Sequence, residues 1–170
     1  MPEDAKAAIA APFSAMTKTT ESGALTPQAA VSAAIFKDSK VLLVKRGRPP
    51  AKGLWSLPGG HIEPGEPALE AIRRELFEET GIAAKIFDIA GIKDVVHRND
   101  RGEVLFHRVI IVFYGIWEAG EAIAGSDADA ASWHGLDALA SLPGTGGLPA
   151  IVATAADKLR RLERDDEPLR

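Results

Sequence analysis

Three carboxylates near the middle of the chain are the residues best suited to do chemistry. Glu75, Glu78 and Glu79 lie on a segment with helical periodicity. Because each helical residue turns by about 100°, the three side chains fall within an arc of roughly 100° on one face. Like charges held that close repel, and a divalent cation would neutralise them; carboxylate oxygens are ligands that Mg²⁺ prefers. The cluster therefore indicates a metal–phosphate site, with a solvated acidic helix face as the alternative.

A glycine before these acids and an arginine beside them complete a longer pattern. Gly60 is followed by five residues and a glutamate, and then by seven residues and an Arg-Glu pair. This spacing resembles the Nudix box, and every fixed position of that motif is filled: Gly60, Glu66, Arg74, Glu75, Leu76, Glu78, Glu79, Gly81 and Ile82. With residue frequencies of a few per cent each, a chance match at a given start is on the order of one in a billion. Segment 53–60 is also similar to the approach to the box in this family.

The resemblance implies a metal site with a supporting shell. It assigns Mg²⁺ or Mn²⁺ to Glu75, Glu78 and Glu79, with the backbone carbonyl of Gly60 as a further ligand. Glu66 takes a supporting role near the metal and the substrate; an acid favoured by the helix dipole is the alternative. Arg74 holds the box glutamates in position, a task suited to a planar fork of donors, and an ordinary surface arginine is the alternative.

The implied reaction is metal-dependent hydrolysis of a phosphoanhydride in a nucleoside diphosphate linked to another group. The base that takes the proton of the attacking water varies within the family. In this chain the candidates are Glu75 and an acid of a downstream loop. For that loop acid we favour Asp127 over Glu103, and for both an ordinary loop acid is the alternative.

Basic residues just before the box are candidates for substrate binding. Arg46 and Arg48, with Lys52, form a small basic cluster that could bind a phosphate or a ribose hydroxyl; a solvated loop is the equal alternative. The histidines are interpreted as packing or hydrogen-bonding residues rather than ligands, and the large aromatic residues as core or base-stacking residues.

ADP-ribose is the favoured substrate. The order of a long β-rich segment, an acidic loop and a Ser-Trp-His stretch at 132–134 is similar to ADP-ribose pyrophosphatase-like and MutT-like members. The proline that often follows the box in ADP-ribose hydrolases is absent, with Val96 and His97 there instead, and this counts against the assignment. A nucleoside triphosphate pyrophosphohydrolase is the alternative.

Two further hypotheses concern other kinds of protein. A non-catalytic Nudix-like domain could sense a nucleotide and regulate a partner; such domains commonly lose box acids, whereas all are present here. An RNA-end hydrolase would require a basic groove for the strand. The net charge of −4 gives that reading little support and argues against broad nucleic-acid binding.

The predicted elements give a mixed sheet with helices on both sides. Strands are expected at 31–36 and 41–44 as a hairpin, at 83–96 and 104–117 around a polar turn, and at 132–134 after an acidic loop at 120–131. The box helix has Pro67 in its first turn, Leu69, Ile72 and Leu76 on its buried face, and Gly81 as its C-cap. Helices follow at 136–142 and 149–164. Periodicity alone gives α/β or α+β; the resemblance implies the αβα Nudix sandwich.

Composition limits the organisation of the protein. The 170 residues, 46% hydrophobic and 26% charged, fit one globular domain at 27–170. Residues 1–26 are expected to form a flexible arm with a possible helix at 4–11. The absence of cysteine excludes disulfides and thiolate chemistry and fits a cytoplasmic protein. We expect no secretory signal or membrane span, and a homodimer is possible because many relatives of the resembled family are dimers.

Overall fold

The computed structural model describes residues 25–125 and 127–165, which form a mixed sheet with helices on both of its faces. The predicted arm at 1–26 and its helix at 4–11 fall almost entirely outside these residues. Within them, the sheet has seven strands: β1 (Gln28–Lys37), β2 (Lys40–Arg46), β3 (Trp55–Ser56), β4 (Gly59–His61), β5 (Ala83–Arg98), β6 (Val104–Ala119) and β7 (Ala128–Gly135). Two α-helices, α1 (Ala68–Thr80) and α2 (Leu148–Asp165), and a 3-10 helix, Leu136–Ala140, complete the described fold. The predicted α+β class is confirmed.

Strand β1 is the centre of the sheet. One of its edges pairs in parallel with β6 along most of its length. Its other edge is shared: the C-terminal end pairs antiparallel with β2, and the N-terminal part pairs antiparallel with β4. The register sets Gly60 opposite Val31 and Gly59 opposite Ser32. The two glycines that precede α1 are therefore held by main-chain pairing to the middle of the sheet.

Alternating strand residues separate two hydrophobic layers. On β1, Ile35 packs in the layer beneath α1, whereas its neighbour Phe36 packs in the layer beneath α2. On β6, Phe113 and Val112 divide in the same way. Because successive strand side chains point to opposite faces, one sheet supplies both layers. This three-layer arrangement confirms the predicted helix–sheet–helix sandwich.

Helix α1 begins and ends where the sequence predicts. Pro67 is its N-cap residue, where a missing N–H costs no helical hydrogen bond. Gly81 ends the helix at φ 68°, a left-handed conformation that suits glycine, and its N–H donates to the Phe77 carbonyl at 2.8 Å. The buried residues are Ala71, Ile72, Leu76 and Thr80. The prediction that Leu69 is buried was wrong: it is 40% exposed, because it lies in the first turn at the edge of the stripe that faces the sheet.

The last third of the chain departs most from the predicted bounds. The acidic loop ends at Asp127, and β7 spans 128–135 rather than 132–134 because it pairs antiparallel with the whole of β2. The predicted helix at 136–142 is a 3-10 helix at Leu136–Ala140. Pairing with a distant strand extends β7 beyond what its own small residues indicate. In the described part of the chain, neither α1 nor α2 has the length and apolarity needed to cross a membrane.

Candidate active site

Arg74 organises the acids of α1 and ties them to the segment before the helix. Its Nε and Nη2 donate to the two carboxylate oxygens of Glu66 at 2.8 and 2.9 Å. Nη1 donates to Glu75 at 2.9 Å and to Glu78 at 3.2 Å, and Nη2 also donates to the His61 carbonyl at 3.0 Å. These five bonds match the five N–H groups of a guanidinium. All the N–H groups of the guanidinium are therefore used in hydrogen bonds that fix the positions of its neighbours.

Glu66 accepts two hydrogen bonds from Arg74, whereas each of the other partners accepts one. Both of its oxygens accept from Arg74, and one of them also accepts from the Glu63 N–H at 3.0 Å. The hydrogen bonds from Arg74, followed by the one from Glu63, lower the pKa of Glu66 to about 2. Donors that favour the ionised carboxylate produce this direction of shift. Glu66 thus contacts the acids of α1 through Arg74, and its supporting role near the metal and the substrate stays a prediction.

The Glu75 carboxylate is packed directly against the backbone of Gly60. A Cβ at position 60 would collide with the carboxyl carbon and both oxygens of Glu75. Partial burial raises the pKa of Glu75, hydrogen bonding from Arg74 opposes this, and the charges of Glu78 and Glu66 raise it again. Glycine at 60 therefore creates the space in which a half-buried carboxylate meets the main chain of β4.

Glu79 is held on the next turn of the same helix face. Its Oε2 accepts the Gly59 N–H at 2.8 Å. Burial raises the pKa of Glu79 to about 7, against the effect of the Gly59 hydrogen bond, and the negative charges of Glu75 and Asp127 add to the rise while Arg46 opposes it. These interactions bring Glu75, Glu79 and Asp127 into one electrostatic cluster. When a cation binds beside a desolvated carboxylate among like charges, it favours the ionised form of that carboxylate.

The donor set fits a hard divalent cation. Within 25–125 and 127–165, no three acidic or histidine side chains already converge as a metal cage, since Arg74 holds Glu75 and Glu78 while Gly59 holds Glu79. The available ligand groups are nonetheless carboxylates that neighbour one another on one face of α1, and the Gly60 backbone is in contact with Glu75. Oxygen ligands of this kind, completed by water and phosphate, are those that Mg²⁺ and Mn²⁺ accept.

A cavity of about 440 Å³ opens beside Gly59 and Gly60. Its size lies within the roughly 300–1,000 Å³ of typical small-molecule sites. Apolar side chains such as Leu57 and Val112 form much of the wall. The charged residues of the lining are Arg46, Lys93, Asp94 and Arg108. The acids of α1 thus adjoin, through the two glycines, a mainly apolar pocket with an excess of positive charge.

The basic residues predicted for substrate binding separate in the structure. Arg46 lines the cavity, and its Nε donates to the Pro50 carbonyl at 3.0 Å. Arg48 lies outside that lining and forms an exposed ion pair with Asp127 at 2.8 Å. The other candidate base, Glu103, accepts a hydrogen bond from Asn99 within the turn between β5 and β6. Of the two loop acids, Asp127 is the one whose charge acts on Glu79.

Sequence reasoning missed Arg108 and Ser56, which also line the cavity. Arg108 lies on β6 with its Nη2 2.7 Å from His61 Nε2. Ser56, on β3, is 8% exposed. The available signal was alternation: Phe106, Ile110 and Val112 share a strand face with Arg108, so a cation stands at an inward position among apolar residues.

Comparisons with known proteins show which family the chain is related to. The NUDIX domain family profile matches residues 26–154. The chain is 42% identical over 118 residues to the ADP-ribose pyrophosphatase of Methanocaldococcus jannaschii, covering 69% of this chain and 68% of that protein. It is 34% identical over 107 residues to a putative 8-oxo-dGTP diphosphatase of Bacillus subtilis, covering 62% and 64%. The matched segments thus span about two thirds of the length of these relatives.

A solved structure supports the fold assignment. The crystal structure of a MutT NUDIX hydrolase from Burkholderia pseudomallei is similar with a TM-score of 0.62 and 31% sequence identity. The match covers 76% of this chain and 98% of that one. The same arrangement of sheet and helices therefore exists in an experimentally determined relative.

Proposed function

Because this chain belongs to the Nudix family, we propose that it is a metal-dependent pyrophosphohydrolase of nucleoside diphosphate derivatives, with ADP-ribose as the favoured substrate. The observation that carries this proposal is the contact between the Glu75 carboxylate and Gly60 at the rim of the cavity. It joins an acid cluster suited to a cation to a pocket suited to a nucleoside. The similarity to an ADP-ribose pyrophosphatase favours ADP-ribose among the possible substrates.

The residues proposed to hold Mg²⁺ or Mn²⁺ are Glu75, Glu78, Glu79 and the carbonyl of Gly60. Such an ion, when bound, offsets phosphate charge and lowers the pKa of a bound water. Arg74 orients Glu75 and Glu78 through its hydrogen bonds, and Glu66 fixes Arg74. The Gly59 N–H fixes Glu79. These contacts give the proposed ligands defined positions before substrate arrives.

The proton of the attacking water goes, in this proposal, to Asp127 or to Glu75. Asp127 is exposed and pairs with Arg48 at 2.8 Å, and its charge acts on Glu79, so its carboxylate is reachable from solvent beside the acid cluster. Arg48 is proposed to orient Asp127, and Arg46 to bind a substrate phosphate from the cavity wall. Glu75 is the alternative base because it is half-buried and its pKa is raised, as general bases often require.

A nucleoside triphosphate pyrophosphohydrolase is a second candidate, favoured by the similarity to a putative 8-oxo-dGTP diphosphatase. A panel of ADP-ribose and deoxynucleoside triphosphates, incubated with Mg²⁺, Mn²⁺ or EDTA, separates the two. AMP and ribose 5-phosphate from ADP-ribose support the first function, whereas nucleoside monophosphate and pyrophosphate from triphosphates alone support the second. Nucleotide binding with no turnover in either metal would contradict both and favour a sensor domain.

A homodimer is also proposed. β5 ends the described sheet and is long, and its exposed residues include Ile92, at 67%, and Val96. An edge strand with exposed apolar residues is a surface that a second copy can cover. Light scattering coupled to gel filtration tests this, and a mass of one chain at micromolar concentration would contradict it.

A further inference from the structure

We propose that Arg108, together with Arg46, forms a second anion-binding position in the cavity, which holds the phosphoryl group that the acid cluster does not hold. This inference rests on the proposed function, in that the ligand is taken to be the diphosphate of a nucleoside derivative. It assigns to Arg108 a role in positioning and selecting the substrate.

The backbone places Arg108 in the interior of the sheet. On β6 it stands between Gln28 of β1 and Val95 of β5. Its face of the strand is shared by Ile110 and Val112, which pack in the layer beneath α2. The side chain therefore lines the cavity from a strand inside the sheet, whereas most arginines are exposed at the protein surface.

The Arg108 guanidinium has a donor without a partner. Its Nη2 hydrogen-bonds His61 Nε2, and because a guanidinium only donates, the His61 nitrogen is the acceptor. Its charge lies 4.8 Å from the centre of the Phe106 ring. Its Nε is buried and has no hydrogen-bond partner among the described residues. A buried donor left unpaired costs free energy, which a ligand oxygen would recover.

A second orphaned group points to the same conclusion. The Ser56 hydroxyl is buried, lacks a partner in the part of the chain that the structure describes, and lines the same cavity. Two unpaired buried polar groups in one pocket indicate a polar ligand, because such groups are otherwise rare in folded proteins. The surrounding wall is mainly apolar, so these few groups would set the orientation of that ligand.

The charges of the lining select an anion. Arg46, Lys93 and Arg108 are cationic, whereas the acid of the lining, Asp94, pairs with His107 at 3.0 Å. Burial lowers the pKa of Arg108, and the positive charge of Arg46 lowers it further, so the two guanidinium groups repel each other. Phosphate relieves that repulsion, and its oxygens match the fork of an arginine.

His61 connects this position to the acid cluster. Its backbone carbonyl accepts from Arg74, and its side chain accepts from Arg108. It directly follows Gly60, whose backbone contacts Glu75. The acid cluster and the arginine position therefore adjoin one short strand, β4. In this proposal the diphosphate places one phosphoryl group at each.

The test compares Arg108→Gln and Arg108→Lys with Arg101→Gln, an exposed arginine of the β5–β6 turn, as the matched control. With Mg²⁺ and ADP-ribose, we expect Arg108→Gln to raise KM by about 10- to 100-fold and to change kcat by less than about threefold. Arg108→Lys keeps the positive charge but loses the forked guanidinium, so its KM should lie between the KM of the wild type and that of Arg108→Gln. In EDTA, calorimetric titration with inorganic pyrophosphate should show the same order of affinities without any turnover.

Two results would overturn the proposal. One is wild-type affinity for pyrophosphate in both Arg108 variants, and the other is a fall in kcat with KM unchanged. Failure of the proposed function is distinguishable: if no nucleotide is hydrolysed but pyrophosphate binding still depends on Arg108, the anion position stands. If Arg108→Gln hydrolyses ADP-ribose with the same KM and kcat as the Arg101→Gln control, the proposed function stands and the anion position is wrong.

Discussion

The carboxylate of Glu75 fills the space that a side chain at position 60 would need. Gly60 is paired with Val31 in the sheet, so its backbone cannot retreat without breaking β4 from β1. The side chain of a helix residue is thus in close contact with the backbone of a strand residue at the point where the family motif predicts the metal site.

Gly60→Ala should displace Glu75 and reduce kcat/KM at least about 100-fold, because a shift of about 1 Å in a reacting group has that effect. The measurement is steady-state hydrolysis of ADP-ribose in Mg²⁺. Gly135→Ala is the control: Gly135 has an ordinary φ of −63°, and its new Cβ would meet the flexible carboxylate of Asp137, which lies outside the acid cluster. Equal activity of Gly60→Ala and wild type would contradict the packing described here.

Glu79→Gln preserves the shape of the side chain and its ability to accept from Gly59, but removes a charge from the acid cluster. We expect kcat to fall by about 100-fold or more while the circular dichroism spectrum is unchanged. The thermal shift produced by Mg²⁺ should also shrink, because binding to the native state alone stabilises it. A mutant with wild-type turnover and wild-type Mg²⁺ stabilisation would remove Glu79 from the site.

Glu66→Gln tests the fork between Glu66 and Arg74 through its dependence on pH. The folded pKa of Glu66, about 2, lies below its ordinary value of 4.5. A lowered pKa contributes stability that is present above the unfolded pKa and is lost as pH falls through the folded one. The mutant should therefore melt at a lower temperature than wild type at pH 6–7, and the difference should shrink between about pH 4.5 and pH 2. A difference that does not change with pH would contradict the assigned cause.

Asp127→Asn separates the two candidate bases. If Asp127 accepts the proton, kcat should fall by about 100- to 10,000-fold, the range typical of general base catalysis, with little effect on Mg²⁺ binding. Asp129→Asn is the matched control, an exposed acid two residues away on β7. If the two mutants behave alike, the assignment passes to Glu75. The pH–rate profile of kcat then provides the check, because loss of the base removes its acidic limb.

The amino-acid sequence alone determined the elements whose signals are local. Pro67 and Gly81 predict both ends of α1, because one residue lacks an N–H and the other adopts a left-handed conformation at no steric cost. The β-branched runs predict β5 and β6, and the spacing of Glu75, Glu78 and Glu79 predicts three acids on one helix face. Each of these depends on residues close together in the chain.

Tertiary structure decided what depends on distant partners. β7 extends to Ala128 because β2 pairs with it, and Arg48 meets Asp127 because that pairing brings its loop alongside. Arg108 lies 33 positions from Glu75 in the sequence, and only the register of β6 against β1 brings it to the cavity beside Gly60. The residue type specifies whether a side chain can carry a charge, whereas its burial and its neighbours depend on how the sheet packs.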